Sequence, residues 1–383
     1  MRHKGSAMKI CHVISGLDVG GAERMLVRLL GVMDRKSFEQ RVIALIGRGP
    51  LSDQVEKLGV PLVHLNMRRG SASFGALLKL RNLIRGFRPD VVQTWLYHAD
   101  LMGLVAARLA GRAKVVWNIR CSDMDLANYR RSTGMVLKVN AALSGRPAAV
   151  ISNSRRALEV HRELGYLPRR EEVIPNGFDV ESLRPDEKAG AAVRGELDLP
   201  PGALVVGMAA RFDPQKGHAD FFAAAGEVAR RIPEAYFVLA GLGVEPGNKE
   251  IEAMVAAAGL EQGSRVKLLG YREDVHGLMN AFDVLCCPSP YGEGFPSVVG
   301  EAMACGVPCA VTDTGDSARV VGETGKVAPP GDTGALARAV IELLSLSETQ
   351  RAELGRDARE RVEDNFSLPA VAARYESLYK SLT

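Results

Sequence analysis

No window of the sequence approaches the roughly 18 uninterrupted apolar residues that a membrane-spanning helix needs, and no apolar run of signal-peptide type follows its charged start. Both absences argue against an integral membrane or exported protein and point to the cytoplasm. Residues 1–7, MRHKGSA, read as an expression remnant ahead of a natural start at Met8-Lys9-Ile10 and are set aside. Cysteine is sparse: Cys11, Cys121, Cys286, Cys287, Cys305 and Cys309, several of them inside apolar runs. Such placement suits small buried hydrophobes in a reducing compartment. Cys305 and Cys309 lack a second ligand pair at metal-site spacing, so no zinc site is expected. There is no GxGxxG fingerprint, fixed-period repeat or low-complexity tract. Zinc-finger spacing, aromatic RNA-binding motifs and a strongly basic arm are also missing, so nucleic acid is not an expected partner.

What remains is the composition of a globular protein, 46% hydrophobic and 25% charged, in a chain long enough for two domains. The net charge of +4 hides an asymmetry: residues 1–180 carry 29 Lys/Arg against 15 Asp/Glu, and the remainder 20 against 30. A basic first half and an acidic second half indicate two domains facing different partners. An anionic membrane surface or a phosphate-bearing acceptor suits the basic half. Leu77, Leu80, Ile84 and Phe87 fall on one helix face, with Lys79, Arg81, Arg85 and Arg88 beside it and Arg68 and Arg69 nearby. This helix is the candidate for peripheral contact with the inner face of the plasma membrane. The ordinary alternative seats the same face on the helix's own sheet.

Apolar, β-branched runs alternate with longer helical patterns. Strands are expected at 9–14, 41–46, 61–65, 90–95, 114–119 and 148–154, then at 205–210, 236–241, 265–270, 283–288 and 308–312. Continuous apolar strands separated by helices indicate parallel sheets covered on both faces. The pattern predicts two doubly wound, Rossmann-like α/β domains, 8–185 and 186–365, with ligand in the cleft at the carboxyl ends of their strands. The break falls in IPNGFDVESLRPDEKAG, 174–190, at the turn signal Pro175-Asn176-Gly177. Helices at about 349–362 and 368–382 follow the second sheet.

Three strand-to-helix junctions carry residues suited to an anionic, hydroxyl-rich ligand. In Ser15-Gly16-Leu17-Asp18-Val19-Gly20-Gly21, the adjacent Gly20 and Gly21 would let a phosphate approach helix N-terminal amides; otherwise they make a tight turn. In Arg211-Phe212-Asp213-Pro214-Gln215-Lys216-Gly217, Arg211 and Lys216 would clamp a diphosphate, the first by its planar fork and the second as a point charge; otherwise they are surface charges. In Ser289 to Gly306, a Gly-rich loop leads into a helix that Gly306 ends. There Glu293 would accept from sugar hydroxyls and Glu301 from a ribose. The amides near Gly294, Phe295, Pro296 and Ser297 remain open to a phosphate or sugar oxygen. The bland alternative leaves Glu293 solvated and Glu301 merely favourable near a helix start.

The run EGFPSVVGEAMACGVPC closely resembles the E-x7-E region of the retaining glycosyltransferases of family 4, which have the GT-B fold. VGGAER at 19–24, SNS at 152–154, VIPNGFD at 173–179, ARFDPQKG at 210–217 and LAGLG at 239–243 look like the same family. RPDVVQTWLYHAD at 88–100 and VVWNIR at 115–120 resemble its bacterial surface-polysaccharide branch.

The resemblance implies a cytoplasmic, metal-independent enzyme that moves a hexose or N-acetylhexosamine from a UDP- or GDP-sugar to a glycan or lipid-linked acceptor. No cofactor is implied beyond the nucleotide-sugar substrate, and UDP or GDP would be the bound product. Gly20 and Gly21 would lie near the donor phosphates, Arg211 and Lys216 would neutralise the departing diphosphate, Glu293 would hold the sugar and Glu301 the ribose. The nearest match to a metal-binding Asp-x-Asp is Asp123-Met124-Asp125, in an unsuitable context. The terminal helix, 366–383, would pack back on the N-terminal domain. Many members carry a histidine after the strand at 114–119. Arg120 stands there in this chain, and Arg120 and His98 are the catalytic candidates on that side. Two rival functions share the architecture: a nucleotide-sugar epimerase and a catalytically silent nucleotide-sugar binding protein.

Overall fold

The computed structural model describes residues 7–18, 20–68, 73–111, 113–120 and 131–383. Val19, Arg69, Cys121 and the Asp123-Met124-Asp125 run lie outside the described residues. The chain divides into two compact units, one of residues 1–177 with 368–383 and one of 178–367.

The first unit holds seven parallel strands: β1 (Met8–Ile14), β2 (Phe38–Ile46), β3 (Leu62–Met67), β4 (Val91–Trp95), β5 (Lys114–Ile119), β6 (Ala149–Ser152) and β7 (Glu171–Val173), in the order β3-β2-β1-β4-β5-β6-β7. The second holds six: β8 (Leu204–Ala209), β9 (Ala235–Ala240), β10 (Val266–Leu268), β11 (Val284–Cys287), β12 (Cys309–Thr312) and β13 (Lys326–Ala328), in the order β10-β9-β8-β11-β12-β13. Each strand order reverses direction once, between β1 and β4 and between β8 and β11. Such switch points open a crevice at the carboxyl ends of the strands, where ligands bind.

Eleven of these strands coincide with apolar runs. The two not anticipated, Glu-Glu-Val of β7 and Lys-Val-Ala of β13, are three-residue edge strands with half-exposed or exposed positions. With one neighbour, three residues and little to bury, these two carry no apolar run, whereas the other two edge strands, β3 and β10, do. The sequence boundary at 185/186 also moves, because the units divide between Gly177 and Phe178. Phe178 is fully buried in the second unit, its ring 6.0 Å from Phe295, and its amide donates to Phe366 O at 2.8 Å. Asp186, placed at the start of the second domain, caps the helix Glu187–Glu196 through the Ala189 amide.

The terminal helix Leu368–Leu382 belongs to the first unit. Tyr375 and Tyr379 are buried there; Tyr375 stacks at 6.3 Å on Trp95, its hydroxyl accepts from Asn118 Nδ2 at 3.2 Å, and Tyr379 donates to Gln93. The amphipathic helix Phe74–Phe87 seats Leu80, Ile84 and Phe87 in the core of its own unit, with Leu77 half-buried against it. Phe74 and Leu78 stay exposed on that helix. No helix among the described residues is long and apolar enough to cross a membrane. Cys11, Cys286, Cys287, Cys305 and Cys309 are free and buried, and burial pushes the Cys11 and Cys305 thiols up to about 12.

Three buried histidines are held neutral. Burial pulls His12, His161 and His218 down to about 4. Trp95 Nε1 donates to His12 Nδ1 at 3.3 Å, which leaves His12 Nε2 as the donor to Gln40 Oε1 at 3.3 Å. In an unfolded chain each histidine binds its proton near pH 6.5, so the unfolded state takes up more protons between about pH 6.5 and 4. Stability therefore falls as pH drops through that window, by up to about 1.4 kcal/mol per pH unit for each histidine. Asp100, whose pKa burial raises, acts in the opposite sense and offsets part of this loss. Urea melts from about pH 7 to about pH 4.5 are expected to show a steadily falling midpoint; a flat midpoint would contradict the neutral assignment.

Candidate active site

In the second unit, β8 leads into Ala210 to Gly217 and β11 into Pro288 to Pro296, on the two sides of the switch point. Gly217 has φ +70°, and a Cβ there would lie 2.4 Å from Pro288 O, so only glycine lets the two loops meet. Their meeting brings Lys216 Nζ to 2.5 Å from Glu293 Oε1. Ser289 Oγ donates to the same carboxylate oxygen at 2.8 Å. Ser289 is fixed in turn, since its carbonyl accepts from Thr312 Oγ1 at 2.6 Å and Thr314 Oγ1 at 2.8 Å. The Asp316 amide donates to Gly294 O at 2.9 Å, and a Cβ on Gly315 would lie 2.1 Å from Glu293 O. The loop after β12 thus holds the Glu293 loop from behind.

Lys216, Cys287, Ser289, Glu293, Phe295 and Ser297 line a cavity of about 220 Å³ with the ends of β8 and β11. The helix Ser297–Ala304 starts at its wall, and its N-cap, Pro296, makes no side-chain cap. Its first amides and the positive end of its dipole therefore suit an anion or a sugar oxygen. Phe295 is anchored between Phe178 and Phe366, with ring centroids at 6.0 and 5.5 Å, and fixes the loop more than it offers polar contact. Glu301 is half-buried at the fifth position of the helix and is not among the cavity's lining residues. Arg211 is not among them either: its Nε and Nη2 bond Asp213 Oδ2 at 3.1 and 3.0 Å, and half of its side chain is exposed. The expected Arg211–Lys216 clamp is therefore not assembled here; Lys216 pairs with Glu293 and Arg211 with its neighbour Asp213.

Sequence reading missed Ser289, Thr312 and Thr314. Ser289 stood inside the strongest motif, four residues before Glu293, but its bond to that carboxylate depends on the loop's path. A hydrogen bond to a charged group contributes about 1.5–3 kcal/mol. Ser289→Ala is expected to lower kcat about tenfold or more while the KM for donor changes little, and Ser289→Thr to restore most of the loss. Equal kcat for Ser289→Ala and wild type would remove its positioning role.

In the first unit, the carboxyl ends of β1, β4 and β5 lie side by side. Gly20 is the N-cap of the helix Gly21–Val32 and makes no side-chain cap, while a Cβ on Gly21 would meet nothing within 4 Å. After β4 the chain turns through Leu96, a non-glycine residue at φ 72°, into the helix Tyr97–Ala110. His98, second in that helix, is half-buried, and burial lowers its pKa, leaving a neutral imidazole. Arg120 follows β5 directly, its guanidinium carbon 5.1 Å from the centre of the Trp95 ring. Gly20, Gly21, His98 and Arg120 thus gather at one switch point, and Lys216, Glu293 and Ser297 at the other.

Two parallel, doubly wound units in tandem, each with its candidate site residues at the carboxyl ends of its strands, have the GT-B glycosyltransferase fold. The sequence profile described as Glycosyltransferase Family 4 matches residues 19–182, and that described as Glycosyl transferases group 1 matches residues 203–346. The chain belongs to this glycosyltransferase family. It is 31% identical to the 2-deoxystreptamine glucosyltransferase of Streptomyces kanamyceticus, over 89% of this chain and 90% of that one. It is 28% identical to the UDP-Gal:alpha-D-GlcNAc-diphosphoundecaprenol alpha-1,3-galactosyltransferase of Escherichia coli, over 82% of this chain and 81% of that one. The crystal structure of HepE from Anabaena in complex with UDP shares the fold, with a TM-score of 0.83 and 24% identity, covering 98% of this chain and 100% of that one.

Proposed function

We propose that this glycosyltransferase moves a hexosyl or N-acetylhexosaminyl group from a UDP-sugar to a glycan or lipid-linked acceptor in polysaccharide or glycoconjugate biosynthesis, retaining the anomeric configuration. The observation that carries the reading is the Lys216–Glu293–Ser289 constellation at the switch point of the second unit. A cation and a carboxylate on one cavity wall suit a ligand that is a diphosphate at one end and a sugar at the other. UDP is favoured over GDP because a relative uses UDP-Gal and a protein of the same fold holds UDP.

In this reading the bond between the anomeric carbon and the diphosphate oxygen breaks, and negative charge grows on the leaving group. Lys216, released from Glu293, meets that charge, and Arg211 joins it by turning away from Asp213. Stabilisation of charge that develops only in the transition state is the largest contribution expected. Glu293, held by Ser289, accepts from the sugar hydroxyls, and Glu301 from the ribose. The acceptor hydroxyl attacks on the face the diphosphate leaves, and its proton passes to the departing phosphate oxygen. Arg211 and Lys216 take the place of a metal ion. Phe74 and Leu78, with Lys79, Arg81 and Arg85 on the same helix, would supply any peripheral contact with an anionic membrane.

The test is acceptor-dependent release of UDP from UDP-glucose, UDP-galactose and UDP-N-acetylglucosamine, with and without a chelator, using polyprenyl-diphosphate-linked sugar as acceptor. Release that needs the acceptor, persists in chelator and gives an axial product anomer supports the reading. Conversion of the donor without acceptor would favour an epimerase, and UDP binding without turnover a silent binding protein.

A further inference from the structure

Arg120 as a whole is half-buried, but both of its terminal nitrogens are sealed from solvent and have no hydrogen-bond partner among the described residues. Three other inward-facing arginines show the contrast. Arg359 donates to the carbonyls of Val180, Leu183 and Ala304, Arg361 to those of Arg319 and Val320, and Arg194 to Ala281 O, Ala203 O and the Asp283 carboxylate. Arg120 has the face of Trp95 at 5.1 Å. Burial lowers its pKa, while Tyr375 and Glu23 favour its charge, and a guanidinium does not give up its proton in a protein. A buried cation without a partner is strongly unfavourable unless binding supplies one.

What would supply it is set by chemistry. A neutral sugar hydroxyl does not balance a desolvated charge, whereas a carboxylate or phosphate accepts two parallel N–H bonds from the guanidinium fork. The surroundings agree. Glu23 lies in the first turn of the helix Gly21–Val32 and acts on Arg120 electrostatically, so that helix start adjoins the guanidinium. Gly20, its N-cap, has no side chain to cap it, the Glu23 carboxylate lies beside Gly20 with Oε2 2.3 Å from where a Cβ would stand, and Gly21 faces open space. His98 and His12 are neutral and add no competing positive charge.

We infer that the switch point of the first unit is a subsite for a substrate oxyanion, a carboxylate or phosphate, gripped by Arg120 on its Trp95 platform. The inference rests on the glycosyltransferase reading and narrows it: one substrate carries a negative group besides what Lys216 meets. The oxyanion has two possible sources, a carboxylate on the donor sugar or a phosphate or carboxylate on the acceptor, and the arms of the test separate them.

The test uses the intact protein and calorimetric titration with UDP-glucose, UDP-glucuronate, sodium glucuronate and inorganic phosphate. Wild type is expected to bind at least one oxyanion probe about tenfold more tightly, or better, than Arg120→Met does. A preference confined to UDP-glucuronate over UDP-glucose identifies the donor as the source; free glucuronate or phosphate identifies the acceptor. Arg120→Lys, which keeps the charge and loses the fork, is expected to lose affinity about tenfold as well, and serves if the Met variant does not fold. The ligand-free melting temperature of Arg120→Met should equal or exceed that of wild type, because an unpaired buried charge has gone. Equal binding of every probe by wild type and both variants overturns the subsite. So does a melting temperature lowered in Arg120→Met with probe affinity unchanged, which would make Arg120 structural. Failure of the glycosyltransferase reading would show elsewhere, as full turnover in Lys216→Ala and Glu293→Ala, whatever the anion titrations give.

Discussion

Lys216→Ala is expected to lower kcat by about two to three orders of magnitude while the protein stays folded. Removing one preorganised donor aimed at developing negative charge costs about 10²–10³ in rate, and Lys216 is the only cation among the residues that line the cavity. Its side chain keeps 24% exposure, and Glu293 retains the Ser289 hydroxyl after the lysine is gone, so the fold loses one partly exposed ion pair. UDP should also bind more weakly. Steady-state kinetics, UDP titration and a melting curve check the three parts. A kcat within about tenfold of wild type would remove Lys216 from the leaving-group role.

Glu293→Ala is expected to reduce turnover by a similar factor, about 10²–10³ by the same reasoning on transition-state contacts, but to move UDP affinity the other way. Lys216 is bound to Glu293 at 2.5 Å, so a diphosphate competes with that carboxylate for it. Deleting the carboxylate frees the lysine, and UDP should bind a few-fold more tightly even as transfer fails. Opposite signs on UDP affinity and the same sign on turnover separate leaving-group stabilisation from sugar positioning. UDP affinity that weakens in both variants would mean that the ion pair, and not either residue's own contact, shapes the site.

The competition between Lys216 and Glu293 was not visible in the sequence, and the reason is physical. Both residues were legible because each sits in a short strand-to-helix motif, but they are 77 positions apart. Their pairing needs Gly217 at positive φ to let one loop touch the other. Arg211 looked like half of a clamp from its strand-end position, yet an acid two residues on, Asp213, takes its fork locally. Ser289 supports Glu293 only through a loop path that Thr312 and Thr314 fix from a third strand end. Strand placement was far more legible, since central strands bury both faces and read as continuous apolar runs. The edge strands β7 and β13 carry no such signal. The turn signal Pro175-Asn176-Gly177 marked where the units divide, but the polar stretch after it drew the domain bound to 185/186, because a single aromatic, Phe178, decides the division by packing beside Phe295.

The first unit is closed by a segment that the chain makes only after the whole of the second unit. Residues 1–177 end well before the helix Leu368–Leu382 that covers Trp95 and Gln93 with Tyr375 and Tyr379, whereas the second unit is one continuous stretch. On the ribosome the second unit can complete its core first, and the earlier-made half waits for the 15-residue helix that follows the second unit to emerge. A chain stopped at Ser367 should therefore hold a protease-resistant second unit beside a first unit that is readily digested, so the order of assembly reverses the order of synthesis.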